Sequence, residues 1–264
     1  VKKIIFLFLF FPFFIHSSPV GNPSSAHFIE EGFFTSAGYW MNIRLGYEGN
    51  FVYNARFKQK KGGKRKIDNF EIENNGGSFT INFQNRLDLF AVLGSARMRG
   101  NWIIDESTYN FLTRIETQTD YDFLWAAGGR AIFFEWGNTS FSLGGRYSRS
   151  SPSLDWITSD GEPYSTDRAK FKYQEWQIDM GLSHKIDIFT PYIGAKYSRK
   201  TGQISGVTST PIADDSGYTI RLKSDKKVGL FLGCALSTSK LFALNVEVRM
   251  IDEEAVTVSA DLRF

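Results

Sequence analysis

LFALNVEVRMIDEEAVTVSADLRF, from Leu241 to Phe264, holds two alternating runs joined by an acidic turn. Phe242, Leu244, Val246, Val248 and Met250 alternate with Ala243, Asn245, Glu247 and Arg249; beyond Asp252-Glu253-Glu254, Val256, Val258, Ala260, Leu262 and Phe264 alternate with Thr257, Ser259, Asp261 and Arg263. Strand side chains point to opposite faces with period two, so this is a hairpin with one apolar face and one polar, charged face. Its last strand needs a partner on its second side. Pairing with the first strand would close a barrel and leave no edge.

Working outward, the same period recurs along the chain. Met41, Ile43, Leu45, Tyr47, Phe51, Tyr53, Ala55 and Phe57 share a face opposite Asn42, Arg44, Gly46, Glu48, Asn50, Asn54 and Arg56. At about 3.3 Å per residue and a tilt near 45° such a strand rises roughly 40 Å, more than an apolar band of about 25 Å. Further strands are expected through Phe79–Phe83, Phe90–Ala96, Phe123–Phe133, Phe141–Tyr147, Trp176–Leu182, Ile193–Tyr197 and Val228–Leu236. Connections alternate short and long, apart from the brief last outer turn. Arg99 to Asp120 has room for one more hairpin around Tyr109 to Glu116. The expectation is an all-β, antiparallel, up-and-down transmembrane barrel of about ten strands, with twelve as the alternative, short periplasmic turns and long outer loops.

Composition agrees. The 264 residues include 25 Phe, yet the mean hydropathy is −0.24, because lipid-facing and interior residues cancel in any average. Aromatics gather near the short turns (Phe83, Phe90, Phe133, Trp136, Phe141, Phe189, Tyr192, Phe242, Phe264) and near the long loops (Tyr53, Phe57, Phe123, Trp125, Tyr147, Tyr173, Trp176, Tyr197). Two interfacial belts would do this, whereas the rival β-sandwich would bury its rings in mid-strand. The net charge of +3 argues for no nucleic-acid partner, and one cysteine, Cys234, offers neither a disulfide framework nor a metal cluster.

Lys2-Lys3, the apolar run Ile4 to Ile15 and His16-Ser17-Ser18-Pro19 read as an export signal. About 12 apolar residues fall short of the roughly 20 of a spanning helix. Cleavage is expected after Ser17 or Ser18, with Ala26 less favoured. Residues 1–17 are then signal, 18–40 an irregular lead-in and 41–264 the barrel. The basic stretch KQKKGGKRK (Lys58–Lys66) reads as a solvated loop tip, with contact to acidic sugars as the alternative.

Parity places Arg44, Glu48, Arg130, Arg146, Glu175, Asp179, Lys196, Glu247, Arg249, Asp261 and Arg263 in the interior as pore-lining candidates. Both signs are present, so they either set a transverse field for passing ions or pair and fill the lumen. Inward glycines (Gly46, Gly128, Gly144, Gly181, Gly194, Gly229, Gly233) leave room for water or allow tight curvature. A hydrolase would need a histidine set among carboxylates or beside a serine at an accessible rim. Past the signal only His27 and His184 occur, neither within such a motif, so no catalytic residues, metal or cofactor are expected.

SPVGNP (Ser18–Pro23), MNIRLGYEGNFVYNARFK (Met41–Lys58), NRLDLFAVLGSA (Asn85–Ala96), GGRAIFFEWGNTSFSLGGRYSRSSP (Gly128–Pro152), YQEWQIDMGLSHKIDIFTPYIGAKYSR (Tyr173–Arg199) and LNVEVRMIDEEAVTVSADLRF (Leu244–Phe264) occur in this order. Together they resemble the chlamydial major outer membrane porins. The resemblance implies an outer-membrane barrel passing small hydrophilic solutes and ions, embedded in outer-membrane lipid and usually a homotrimer. The alternative is a non-conducting barrel acting as envelope scaffold or adhesin. Val256, Val258, Ala260, Leu262 and Phe264 are the expected insertion signal for the barrel-assembly machinery. Two departures stand out: family members are longer and rich in cysteines that cross-link the envelope, whereas here Cys234 sits alone on an apolar strand face.

Overall fold

The computed structural model describes residues 19–28, 40–60, 67–106, 111–166, 169–207, 218–239 and 241–264. The export-signal reading therefore lies outside the described residues, as do 61–66 of the basic stretch. Ten strands form a closed antiparallel ring: β1 (Met41–Asn54), β3 (Asn69–Phe83), β4 (Leu87–Glu106), β6 (Asp122–Trp136), β7 (Thr139–Ser150), β10 (Lys170–His184), β11 (Phe189–Val207), β13 (Val228–Ser239), β14 (Phe242–Met250) and β15 (Glu254–Arg263). Each pairs with its chain neighbour in the ring, and β1 pairs with β15, Leu45 opposite Leu262. The Phe264 amide donates to the Ile43 carbonyl at 2.9 Å, which carries the β15–β1 seam to its end.

Five shorter strands stand beyond the long-loop rim: β2 (Phe57–Gln59), β5 (Phe111–Thr119), β8 (Leu154–Ser159), β9 (Glu162–Pro163) and β12 (Tyr218–Ser224). β5 extends the β4 hairpin, β8 joins β5, and β12 bridges β11 to β2. The hairpin suspected between Arg99 and Asp120 is thus real but adds no barrel strands, which leaves ten.

The strand faces follow parity, with instructive departures. On β10 the outward Trp176, Ile178, Met180 and Leu182 are exposed, while Tyr173, Glu175, Gln177 and Asp179 are buried. On β4 both faces are apolar. Leu87, Leu89 and Leu93 are the exposed ones, and Phe90, Val92 and Ala96, expected on the lipid side, turn inward together with Asp88. At the top of β1 a register shift between Val52 and Asn54, followed by Arg56 at φ 41°, sends Ala55 and Phe57 inward rather than outward. Phe57 thus leaves the proposed outer belt, and Tyr173 and Tyr192, at the inward parity of Glu175 and Lys196, are buried as well.

At the long-loop end the interior is an apolar core. Val52, Phe57, Phe70, Ile72, Met98, Trp102, Ile115, Leu124, Leu154, Ile157, Phe171, Ile204 and Leu222 pack together there, with Phe57 edge-on to Phe70 at 4.9 Å. Leu154 and Ile157 belong to a connection that reads as a polar loop; it is instead part of this cap.

Candidate functional site: the barrel interior

Below the cap the interior is ionic. Every pore-lining candidate has inward parity, and ten of them are buried or nearly so, with Asp261 half-buried. The Arg146 guanidinium donates to both Glu48 oxygens at 2.9 and 2.8 Å, the two-point geometry that suits a carboxylate. Arg44 meets Asp88 at 2.5 Å, and Arg130 lies 3.7 Å from Asp179. Arg249 donates to Glu247 at 2.7 Å, to Thr257 at 2.8 Å and to Asn50 at 2.7 Å. Glu175 accepts from the Tyr173 hydroxyl at 2.7 Å. Arg263 is buried on β15, opposite Arg44 in register.

A second group was missed by the sequence reading. The turn between β14 and β15 folds inward, so Asp252 and Glu253 are fully buried against Lys196 and Lys200. Asp252 also accepts from Ser198 at 2.8 Å. Lys200 has the same parity as Lys196 on β11, so a strand extended past Tyr197 would have revealed it. No sequence signal marks the turn as inward.

The short-turn end is closed by the chain itself. Residues 19–26, which lead into the single helical turn α1 (Ser25–Phe28), lie inside the ring. The amides of Val20 and Gly21 donate to the two Glu247 oxygens at 2.8 and 2.6 Å. Arg130 donates to the Asn22 carbonyl at 3.2 Å and also to that of Val20. Gln177 reaches the Pro19 carbonyl at 3.1 Å, Arg44 the Ser25 carbonyl at 2.5 Å, and Ser25 donates to Asp88 at 2.8 Å. Four of the residues that bind this segment, Arg44, Arg130, Glu247 and their neighbour Asp88, are thus shared with the interior ion pairs.

The inward glycines explain how the contents fit. A side chain at Gly181 would meet Pro23, at Gly229 the Asp252 carboxylate, and at Gly194 and Gly233 the rings of Phe231 and Tyr192. They are seats for interior groups rather than openings for water. A cavity of about 100 Å³ remains between the lead-in and Arg44, Asp88, Arg130, Arg146 and Asp261, with room and polar partners for water.

The His184 ring nitrogen pairs with the Thr139 hydroxyl at 2.9 Å beside a short turn. His27 lies in α1. Cys234 is half-buried at outward parity, opposite Val246 and Pro191. Val256, Val258, Ala260 and Leu262, expected from the sequence to form the insertion signal, share the outward face of β15, with Val258 and Leu262 exposed.

A closed ten-strand ring, apolar outside and ionic within, is an integral β-barrel of the outer-membrane type. The chain resembles the chlamydial major outer membrane porin family. A family model described as Chlamydia major outer membrane protein matches residues 147–216. The major outer membrane porin of Chlamydia trachomatis serovar D is 23% identical over 374 aligned residues, covering 95% of each chain. That of Chlamydia muridarum is 22% identical with the same coverage. Among solved structures, the outer membrane protease OmpT from Escherichia coli aligns over 84% of this chain and 93% of its own at 13% identity (TM-score 0.40). The outer membrane protein OprG from Pseudomonas aeruginosa aligns over 86% and 98% at 9% identity (TM-score 0.39).

Proposed function

We propose that this outer-membrane porin passes small hydrophilic solutes and ions by passive diffusion, and that residues 19–28 close its short-turn end at rest. The supporting observation is the mixed-sign interior of Arg44, Glu48, Arg130, Arg146, Asp179 and Glu247, part of which is satisfied by a separable segment rather than by the barrel wall. Withdrawal of that segment would free Glu247, Arg130 and Arg44 for water and transiting ions. The porin names of the relatives point the same way. Planar-bilayer recording of the folded chain should give rare, small conductance steps, and deletion of residues 19–28 should raise their frequency or size severalfold. Silence from both proteins, with folding verified, would reject the porin reading.

A second reading, a non-conducting envelope scaffold, is favoured by the apolar cap at the long-loop end, which no ion crosses readily. It expects that silence. Assembly as a homotrimer and delivery by the barrel-assembly machinery through Val256 to Phe264 belong to the same proposal; cross-linking in membranes and an assembly assay with Phe264→Ala test them.

A further inference from the structure

Immediately beyond the outer aromatic belt, one side of the barrel carries six exposed cations that no described acid pairs with; Asp225, at the end of β12, is taken up by Lys58 at 2.9 Å. Trp176 and Tyr197 pack with ring centroids 5.4 Å apart, as do Trp125 and Tyr147, and these rings mark the edge of the apolar band. One residue step above them, Arg149, Gln174, Thr201 and Lys223 lie in register across β7, β10, β11 and β12. The next outward row is Lys172, Gln203 and Arg221, with Lys170 above it, and Arg199 sits level with Trp176. Arg149, Lys170, Lys172, Arg199, Arg221 and Lys223 are all exposed, on the opposite face from the buried Phe171, Ile204, Ile220 and Leu222. None makes an ion pair with a described residue.

The other side of the barrel at the same height is different. There Arg97 binds Glu73 at 2.8 Å and Arg56 binds Glu254. Random decoration of a solvated rim would not segregate in this way. The spacing fits a surface of fixed negative groups: adjacent strands are about 4.8 Å apart, so Lys172 and Arg221 stand roughly 10 Å apart on one row. Long basic side chains at the margin of an apolar band reach head-group level, and guanidinium and ammonium groups are the natural partners of phosphate oxygens. Gln174, Thr201 and Gln203 add neutral donors between them.

We propose that this face binds the phosphate groups of a phosphorylated glycolipid of the outer leaflet, of the lipid A type, whose acyl chains lie against Trp176, Ile178 and Tyr197. The site is independent of whether the barrel conducts.

The folded full chain in neutral detergent, titrated with lipid A and read by native mass spectrometry, should retain the lipid. Dephosphorylated lipid A should be held about tenfold less tightly, and inorganic phosphate should not displace the lipid at equal concentration. The variant R149Q/K172Q/R199Q should lose the same tenfold, as should the independent pair K170Q/K223Q to a smaller degree. Arg86→Gln, exposed at a short turn, should change nothing. Equal retention of phosphorylated and dephosphorylated lipid, or undiminished binding by the folded triple variant, would overturn the proposal. So would capture of a sulfated polysaccharide by this face without any binding of lipid A.

Discussion

Glu247 is where the interior is most tightly determined. Its two oxygens accept the Val20 and Gly21 amides, and the same carboxylate faces Arg249, itself fully buried. Removal of one partner from a buried pair leaves an uncompensated charge and costs about 3–5 kcal/mol. Glu247→Ala should therefore lower the urea midpoint of the barrel, and a cysteine placed at Val20 should become more reactive to a water-soluble thiol reagent. Unchanged reactivity would mean that the lead-in is held elsewhere. Gly194→Ala tests packing instead. Its new methyl would run into the Phe231 ring and the Met180 carbonyl, an overpacking that costs about 1–3 kcal/mol and should slow folding into detergent.

At the scale of elements, the top of β1 decides how the outer end is sealed. The irregularity between Val52 and Asn54 rotates the strand so that Phe57 enters the cap beside Phe70 and Tyr173. Truncation of a buried ring costs about 3–5 kcal/mol. Phe57→Ala should loosen β2 and β12, seen as faster hydrogen exchange of the amides of 57–59 and 219–224, and leave the membrane-embedded strands protected. The inward turn of Asp252 and Glu253 is the second element of this kind. Its carboxylates meet Lys196 and Lys200 in the middle of the barrel, so it joins the cap to the ionic layer below.

For the whole molecule, the outside is set by the bilayer and the inside by its own contents. The exposed Ile178, Met180 and Leu182 on β10, with Ile193 on β11, mark the band that must face hydrocarbon. Met180→Lys, midway between the Trp176 ring and the short turn after His184, should destabilise the barrel in lipid vesicles by about 2–4 kcal/mol, the cost of a cation near the bilayer centre. Lys172→Gln, above the belt, should leave vesicle stability unaltered. A barrel of eight strands is filled by side chains and one of sixteen holds an aqueous channel. With ten strands, a cap and a threaded segment, this one stands near the filled end.

Strand order, barrel closure and the inward parity of the ionic residues were legible in the sequence, because a period of two carries over directly into two faces of a sheet. Parity fails where both faces are apolar, as on β4. There the inward position of Phe90 and Val92 goes with Asp88, which reaches Arg44 over the intervening strand β3. It fails again where a bulge resets the count, as between Val52 and Asn54. What fills the barrel could not be read at all. The placement of Pro19 to Ser25 against Glu247, Arg130 and Arg44, and of Asp252 and Glu253 against Lys196 and Lys200, depends on groups from 19 to 227 residues apart meeting in one low-dielectric space. Local pattern governs which way a side chain points; only the closed ring determines what it meets there.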